Sequence, residues 1–207
     1  MWSLTVQALI VVVTAVLPLS LSKCPKIFAD VGNGACLIAI QQSLFYCDAH
    51  RVCDLVGRSL GLRLFMVGRN AQRVPAYLFG IATFYTGINS LLENRGKSRD
   101  GWQVSEPGYI SYVLNATDIP WSPLEPLETG EQVVSFLIGG LYARRQSFLF
   151  TYTVCELSTV PYPEKTGISE FNKNFPRPLA SNFMESDLSV GCFRQTTAAS
   201  AIACGLK

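Results

Sequence analysis

Histidine occurs once in this chain, at His50. A single imidazole builds no multi-histidine metal site and offers little to a conventional histidine-based catalytic set. Charge is also scarce. Asp, Glu, Lys and Arg make up 15% of the sequence, against roughly 25% in an average soluble protein, so wholesale disorder is excluded. The 17 basic and 15 acidic residues are spread out rather than clustered, leaving a net charge of +2. Without a Lys/Arg stripe, the electrostatic footprint of a nucleic-acid binder is missing. Close Cys-x-x-Cys pairs are absent; the nearest cysteines, Cys47 and Cys53, flank His50, which is poor spacing for zinc. No nucleophile–base–orienter set can be assembled from this inventory, so no catalytic residue and no cofactor are expected. Internal repeats are lacking, and no apolar stretch near membrane-spanning length follows the first twenty residues.

What is present begins with a leader. Residues Met1 to Ser22 carry no charged side chain, and Ala8 to Leu17 is an apolar run broken by Pro18. Ser20 and Ser22 place small residues at −3 and −1 of a cut before Lys23, so 1–22 reads as a signal peptide. An uncleaved anchor is the competing reading, because Lys and Arg are absent from the first residues. Cleavage predicts a secreted product with no membrane association. The seven cysteines (24, 36, 47, 53, 155, 192 and 204) suit an oxidising compartment, and their odd number leaves at least one outside intramolecular bridges. Asn115-Ala116-Thr117 is a glycosylation sequon.

Cys24 to Phe28 and Ala35 to Ile40 flank a Gly/Asn turn and predict a hairpin, which a Cys24–Cys36 bridge would close at its base. Phe45, Ala49, Cys53, Val56 and Leu60 recur at helical spacing, with Ser43 as N-cap and Gly61 as stop. His50 falls on this helix and is expected to be exposed. Two short buried strands around a stunted helix or loop are expected over Leu62–Ile81. Trp102 to Gly130 mixes aromatics with Pro, Gly, Asn and Ser and predicts a long, functional loop with little regular structure. Strands are predicted at Gln132–Ile138 and Ser147–Cys155. Beyond Glu156 the texture turns proline-rich and polar, so 157–207 reads as an extension carrying Cys192 and Cys204.

These pieces resemble the C-type lectin-like domain in its long form, over residues 24–156. Cys24-Pro25 with Cys36 is similar to the long-form hairpin bridge. Ala49-x-x-x-Cys53, then Gly61 and Leu64, resembles the family's first helix. Tyr77-Leu78-Phe79-Gly80-Ile81 stands at its Trp-Ile-Gly-Leu strand, with the tryptophan lost. Pro120-Trp121-Ser122-Pro123-Leu124-Glu125-Pro126 resembles the run leading to Glu-Pro-Asn. Thr153-Val154-Cys155-Glu156 resembles the closing strand. The resemblance implies an α+β fold: mixed, mostly antiparallel sheets, one well-formed and one shortened helix, and a long irregular loop region. It also implies a Cys53–Cys155 bridge from the first helix to the last strand.

The departures are as informative. The family's second bridge, beneath the long loop, has lost both partners: Val133 and Ser147 stand there. Packing of Trp121, Val133 and Val134 is expected to hold the loop instead. Calcium needs six to eight oxygen ligands. The resemblance would place two of them on Glu125 and Glu131, but Leu127 replaces the asparagine, and Tyr142-Ala143-Arg144 replaces Trp-Asn-Asp. No Asp, Asn or Glu lies between Leu137 and Gln146, so no metal is expected. Glu125 and Glu131 are instead expected to pair with Arg144 or Arg145. The expected function is recognition or adhesion without calcium, toward a protein or glycan ligand met by Trp102, Tyr112, Asp118, Trp121 and Glu125. Packing of Trp121 and Tyr112 inside the loop is the competing structural role. Two alternatives remain open: a carbohydrate-binding lectin with a rearranged site, and a disulfide-linked matrix or coat component. Cys47 is the candidate for an intermolecular link. Cys192 and Cys204 pair with each other, or one of them reaches Cys47.

Overall fold

A computed structural model describes residues 24–75, 83–91, 97, 99–108, 113–114, 118–127, 130–138 and 140–162. The predicted leader, the Tyr77–Ile81 strand, Tyr112, Asn115, Cys192 and Cys204 lie outside these residues.

The closing strand organises the molecule. Phe150–Leu157 (β9) reads Phe-Thr-Tyr-Thr-Val-Cys-Glu-Leu, a β-branched and aromatic run suited to a pleated, buried surface. Cys36–Leu44 (β2) pairs antiparallel along one edge, with Leu37 opposite Glu156 and Ile38 opposite Cys155. The other edge is shared. Leu64–Met66 (β3) pairs antiparallel with its end, and Thr83–Asn89 (β4) pairs parallel with its beginning through Phe84 and Tyr152. A two-residue strand, Ala29–Asp30 (β1), completes the hairpin with β2.

Strand β4 carries the sheet into the second half. It pairs antiparallel with Trp102–Val104 (β5), which pairs with Val113–Leu114 (β6). It also pairs with Val133–Leu137 (β7), which turns back into Gly140–Arg144 (β8). The architecture is α+β with a mixed, mostly antiparallel sheet and one main helix, as the resemblance implies. The segment expected to hold little regular structure carries the short strands β5 and β6, and β8 lies between the two predicted late strands. Strand β5 pairs with β4 and β6, whereas β8 folds back directly on β7 with Leu137 opposite Gly140.

The main helix, Tyr46–Ser59 (α1), starts later than predicted. Strand β2 runs through Ser43 to Leu44, and Phe45 occupies the N-cap position with no side-chain hydrogen bond. The buried stripe is accordingly Tyr46, Ala49, His50, Cys53 and Gly57, while Phe45 and Leu60 face solvent. Gly57 is required by close approach: a Cβ there would lie 2.8 Å from Leu62 O and Leu64 N of the incoming β3. The expected stunted helix is a single 3-10 turn, Ala71–Arg73.

The predicted bridges Cys24–Cys36 and Cys53–Cys155 are both formed. The second closes 102 residues, and in the chain-entropy account a loop of that length contributes about 4–5 kcal/mol. It fastens α1 to β9 inside a cluster of Tyr46, Met66, Tyr85 and Val133. The second cluster lies under the long loop and contains Phe84, Trp102, Val104, Val134 and Leu141.

Candidate functional site

The long loop returns to the sheet at Trp121. Its backbone N–H donates to Ile119 O (2.8 Å), and Trp121 forms an isolated parallel bridge with Leu141 of β8. The indole is half-buried and meets the Trp102 ring edge-on, with centroids 5.0 Å apart. Trp102 is 0% exposed, so it is a core residue and not a contact for a ligand. Val133 and Val134 are likewise fully buried, and Trp121 packs against the cluster that contains Val134. Packing therefore occupies the region around Trp121 and Val134.

Tyr85 adds a polar fastening there. Its hydroxyl lies 2.6 Å from Phe148 O, 3.1 Å from Gln146 O and 3.3 Å from Arg145 O. A buried phenol thus gathers the carbonyls of the β8–β9 turn around Ser147. Burial pushes the Tyr85 hydroxyl well above its ordinary pKa, so it remains a donor.

Beyond Trp121, Leu124 adopts φ +72°, a left-handed conformation uncommon for a bulky side chain. It is 82% exposed, and Leu127 is 67% exposed. Between them Glu125 and Pro126 turn inward, across a cis peptide bond. Glu125 is buried and held from several sides. Its backbone N–H donates to Ser122 O (3.0 Å), and its carbonyl accepts from Arg99 Nη2 (3.1 Å). Oε2 accepts the Ala143 N–H at 3.2 Å, while Oε1 lies 3.6 Å from Arg144 Nη1. Arg144 also donates to Ala143 O (2.7 Å), and its guanidinium lies 4.9 Å from the Tyr142 ring centroid. The expected Glu125–Arg144 pair is present.

A calcium ion at Glu125 would have to share that carboxylate with a guanidinium, with leucine and alanine in place of amide donors. This donor set does not fit the ion, which takes oxygen ligands throughout. Among the described residues, no group of three or more His, Cys, Asp or Glu is placed to hold a metal.

Other expectations resolve individually. Asp118 is exposed, beside the buried Ile119. His50, expected in solvent, is 5% exposed and packs edge-on against Tyr46 at 4.8 Å. Burial lowers its pKa to about 4, and its Nε2 has no hydrogen-bond partner among the described residues. Cys47, expected in a third disulfide or in an intermolecular link, is disulfide-bonded in this single chain.

One polar cluster has no counterpart in the sequence reading. Glu106, on the loop after β5, accepts from Arg69 N (2.6 Å) and Arg69 Nε (2.8 Å). Close by, Glu156 Oε1 accepts from Asn70 Nδ2 at 2.6 Å. Both carboxylates are buried. Desolvation, opposed by the Asn70 hydrogen bond and reinforced by Glu106, pushes Glu156 up to about 7. Only the Cys-Glu ending of the last strand hinted at this group; Glu106 lies fifty residues away in sequence.

No family model and no curated protein matches the chain. Among solved structures it is similar to C-type lectin domains. Human lithostathine shares 15% identity, with 69% of this chain and 95% of that one covered, at a TM-score of 0.49. The C-type lectin CEL-I from Cucumaria echinata shares 16%, covering 66% and 98%, at 0.47. The cow C-type carbohydrate-recognition domain of CD23, solved in the presence of an oligosaccharide, shares 17%, covering 67% and 99%, at 0.47.

Proposed function

We propose that this chain is a secreted, non-enzymatic recognition module of C-type-lectin-like architecture that binds a protein or glycan ligand without calcium at Glu125. The observation that carries the reading is the commitment of Glu125: one oxygen faces the Arg144 guanidinium and the other takes the Ala143 N–H. A cation there would displace a cation already supplied by the chain. The leucines flanking that buried carboxylate support an apolar component in the ligand. Leu124 stands in solvent in a strained backbone conformation, and strain of this kind persists where the surroundings enforce it, often at ligand contacts. Asp118 and the partly exposed face of Trp121 belong to the same proposed surface, with Tyr112. Export accords with the disulfides at Cys24–Cys36 and Cys53–Cys155, with the apolar leader, and with the Asn115 sequon. No helix among the described residues is long and apolar enough to cross a membrane.

The test is thermal unfolding of the full chain in millimolar calcium and in chelator. A metal that binds the native state raises the midpoint; the expected result is the same midpoint in both. A reproducible rise in calcium would sink the reading.

A further inference from the structure

We propose that the cleft between the tip of the amino-terminal hairpin, β3 and the end of β9 binds a primary alkylammonium group, carried by a lysine side chain or by a free amine. The cleft shares no lining residue with the Glu125 surface, so the inference stands apart from the ligand reading there.

Stretches of chain remote in sequence converge on the cleft: residues 33–35 of the hairpin, Phe65 of β3, Arg69 and Asn70, the loop after β5 at Glu106, and β9 from Glu156 onward. Its volume is 140 Å³. That is room for one side chain and well below the roughly 300–1,000 Å³ of a drug-sized ligand site.

Two buried carboxylates meet there, and they are not equivalent. Glu106 is saturated, because its Oε1 takes the Arg69 backbone N–H at 2.6 Å and its Oε2 takes Arg69 Nε at 2.8 Å. Glu156 is only half satisfied. It is 7% exposed, and its Oε1 accepts from Asn70 Nδ2 at 2.6 Å. The buried Oε2 has no hydrogen-bond partner among the described residues. A buried acceptor without a donor is unfavourable and calls for a partner. The charged groups that bear on Glu156 are Glu106, Arg69 and Arg73. Arg69 is turned to Glu106. Arg73 faces the Asn33 amide, whose oxygen takes both Nη groups at 2.7 Å in the orientation that satisfies the pair.

A single free oxygen selects the kind of cation. A guanidinium engages a carboxylate as a fork and uses both oxygens, whereas an ammonium is a compact point donor. The rest of the lining suits an aliphatic stem. Phe65 and Leu157 are half-buried and Pro107 is buried, so methylenes find apolar surface alongside the charged head. Burial and the neighbouring Glu106 hold the Glu156 carboxyl at about 7. Binding therefore exchanges one cation for another: the ammonium N–H donates to Oε2 as the carboxyl proton leaves to solvent.

The experiment titrates the full oxidised chain with butylammonium and, in parallel, with butanol, which has the same stem and no charge. Backbone amide resonances of Asn70 and Glu156 are expected to shift saturably with butylammonium and not with butanol. A short peptide with one lysine and blocked termini distinguishes the sources: a matching response assigns the site to a lysine side chain, and a response to butylammonium alone assigns it to a free amine. Affinity for butylammonium is expected to fall about tenfold for each pH unit below 7. Glu156→Gln is expected to abolish the saturable shift while Cys24–Cys36 and Cys53–Cys155 still map. Should that variant not fold, the butanol arm and the pH series still decide. An equal response to butanol, no saturable response to butylammonium, an affinity independent of pH, or saturation retained in Glu156→Gln overturns the site. None of these outcomes alters the calcium test of the Glu125 reading.

Discussion

Arg144 Nη1 lies 3.6 Å from Glu125 Oε1, and Glu125 is buried while Arg144 retains partial access to water. The pair joins the long loop to β8. Its geometry is not that of a tight fork, so screening from the exposed side limits its net worth. The asymmetry matters more: removing the arginine leaves a buried carboxylate with one partner fewer.

Arg144→Ala is therefore expected to cost about 1–3 kcal/mol, the penalty of leaving a buried charged acceptor undersatisfied. Adding Glu125→Gln in the same chain should recover part of that loss, because the amide needs no counter-charge. Chemical denaturation of both single variants and the double variant completes the cycle. Strict additivity would show that the two groups do not interact.

The pH dependence follows from two buried groups that act in opposite directions. His50 has its pKa lowered to about 4 by burial. The unfolded chain binds its proton first, so this contribution is complete above the ordinary value near 6.5 and is lost as pH falls toward 4. Glu156 is raised to about 7. Its contribution is complete below the ordinary carboxylate value near 4.5 and is lost as pH rises through 7. Between those limits the two slopes offset each other, and stability of the native chain is expected to be nearly flat. Replacing His50 by Phe should expose a fall in stability with rising pH, and Glu156→Gln should expose a rise. Denaturation midpoints across pH 4.5 to 7 decide it; slopes of the reverse sign would refute the assignment.

The two mapped disulfides should differ in worth. Loops of 102 and 12 residues give about 5 and about 3 kcal/mol in the chain-entropy account. Paired replacement of Cys53 and Cys155 by Ala is expected to destabilise more than paired replacement of Cys24 and Cys36. Equilibrium unfolding of the two variants gives the ordering directly.

Tyr85→Phe removes the hydroxyl shared by the carbonyls of Arg145, Gln146 and Phe148. The expected cost is about 1–3 kcal/mol, with hydrogen-exchange protection lost chiefly in the β8–β9 turn. If protection falls evenly across the sheet instead, the phenol does not act as a local clasp.

Much of the architecture was legible because it is written in local chemistry. Cys24 and Cys36 flank a Gly/Asn turn, the 3.6-residue spacing around Cys53 announces α1, and Val-Cys-Glu after a run of Thr and Tyr marks β9. The absence of Asp, Asn and Glu between Leu137 and Gln146 was equally plain, since an absent side chain can be read without coordinates. Tertiary structure decided what depends on registry between remote segments. His50 turned inward because the helix packs on the sheet through Tyr46, Ala49 and Cys53, and His50 shares that face, edge-on to Tyr46. Trp102 became core because β5 pairs with β4, and Glu106 met Glu156 because the loop after β5 folds back beside β9. Burial and pKa are set by what arrives from elsewhere in the chain, and one-dimensional spacing carries no record of it.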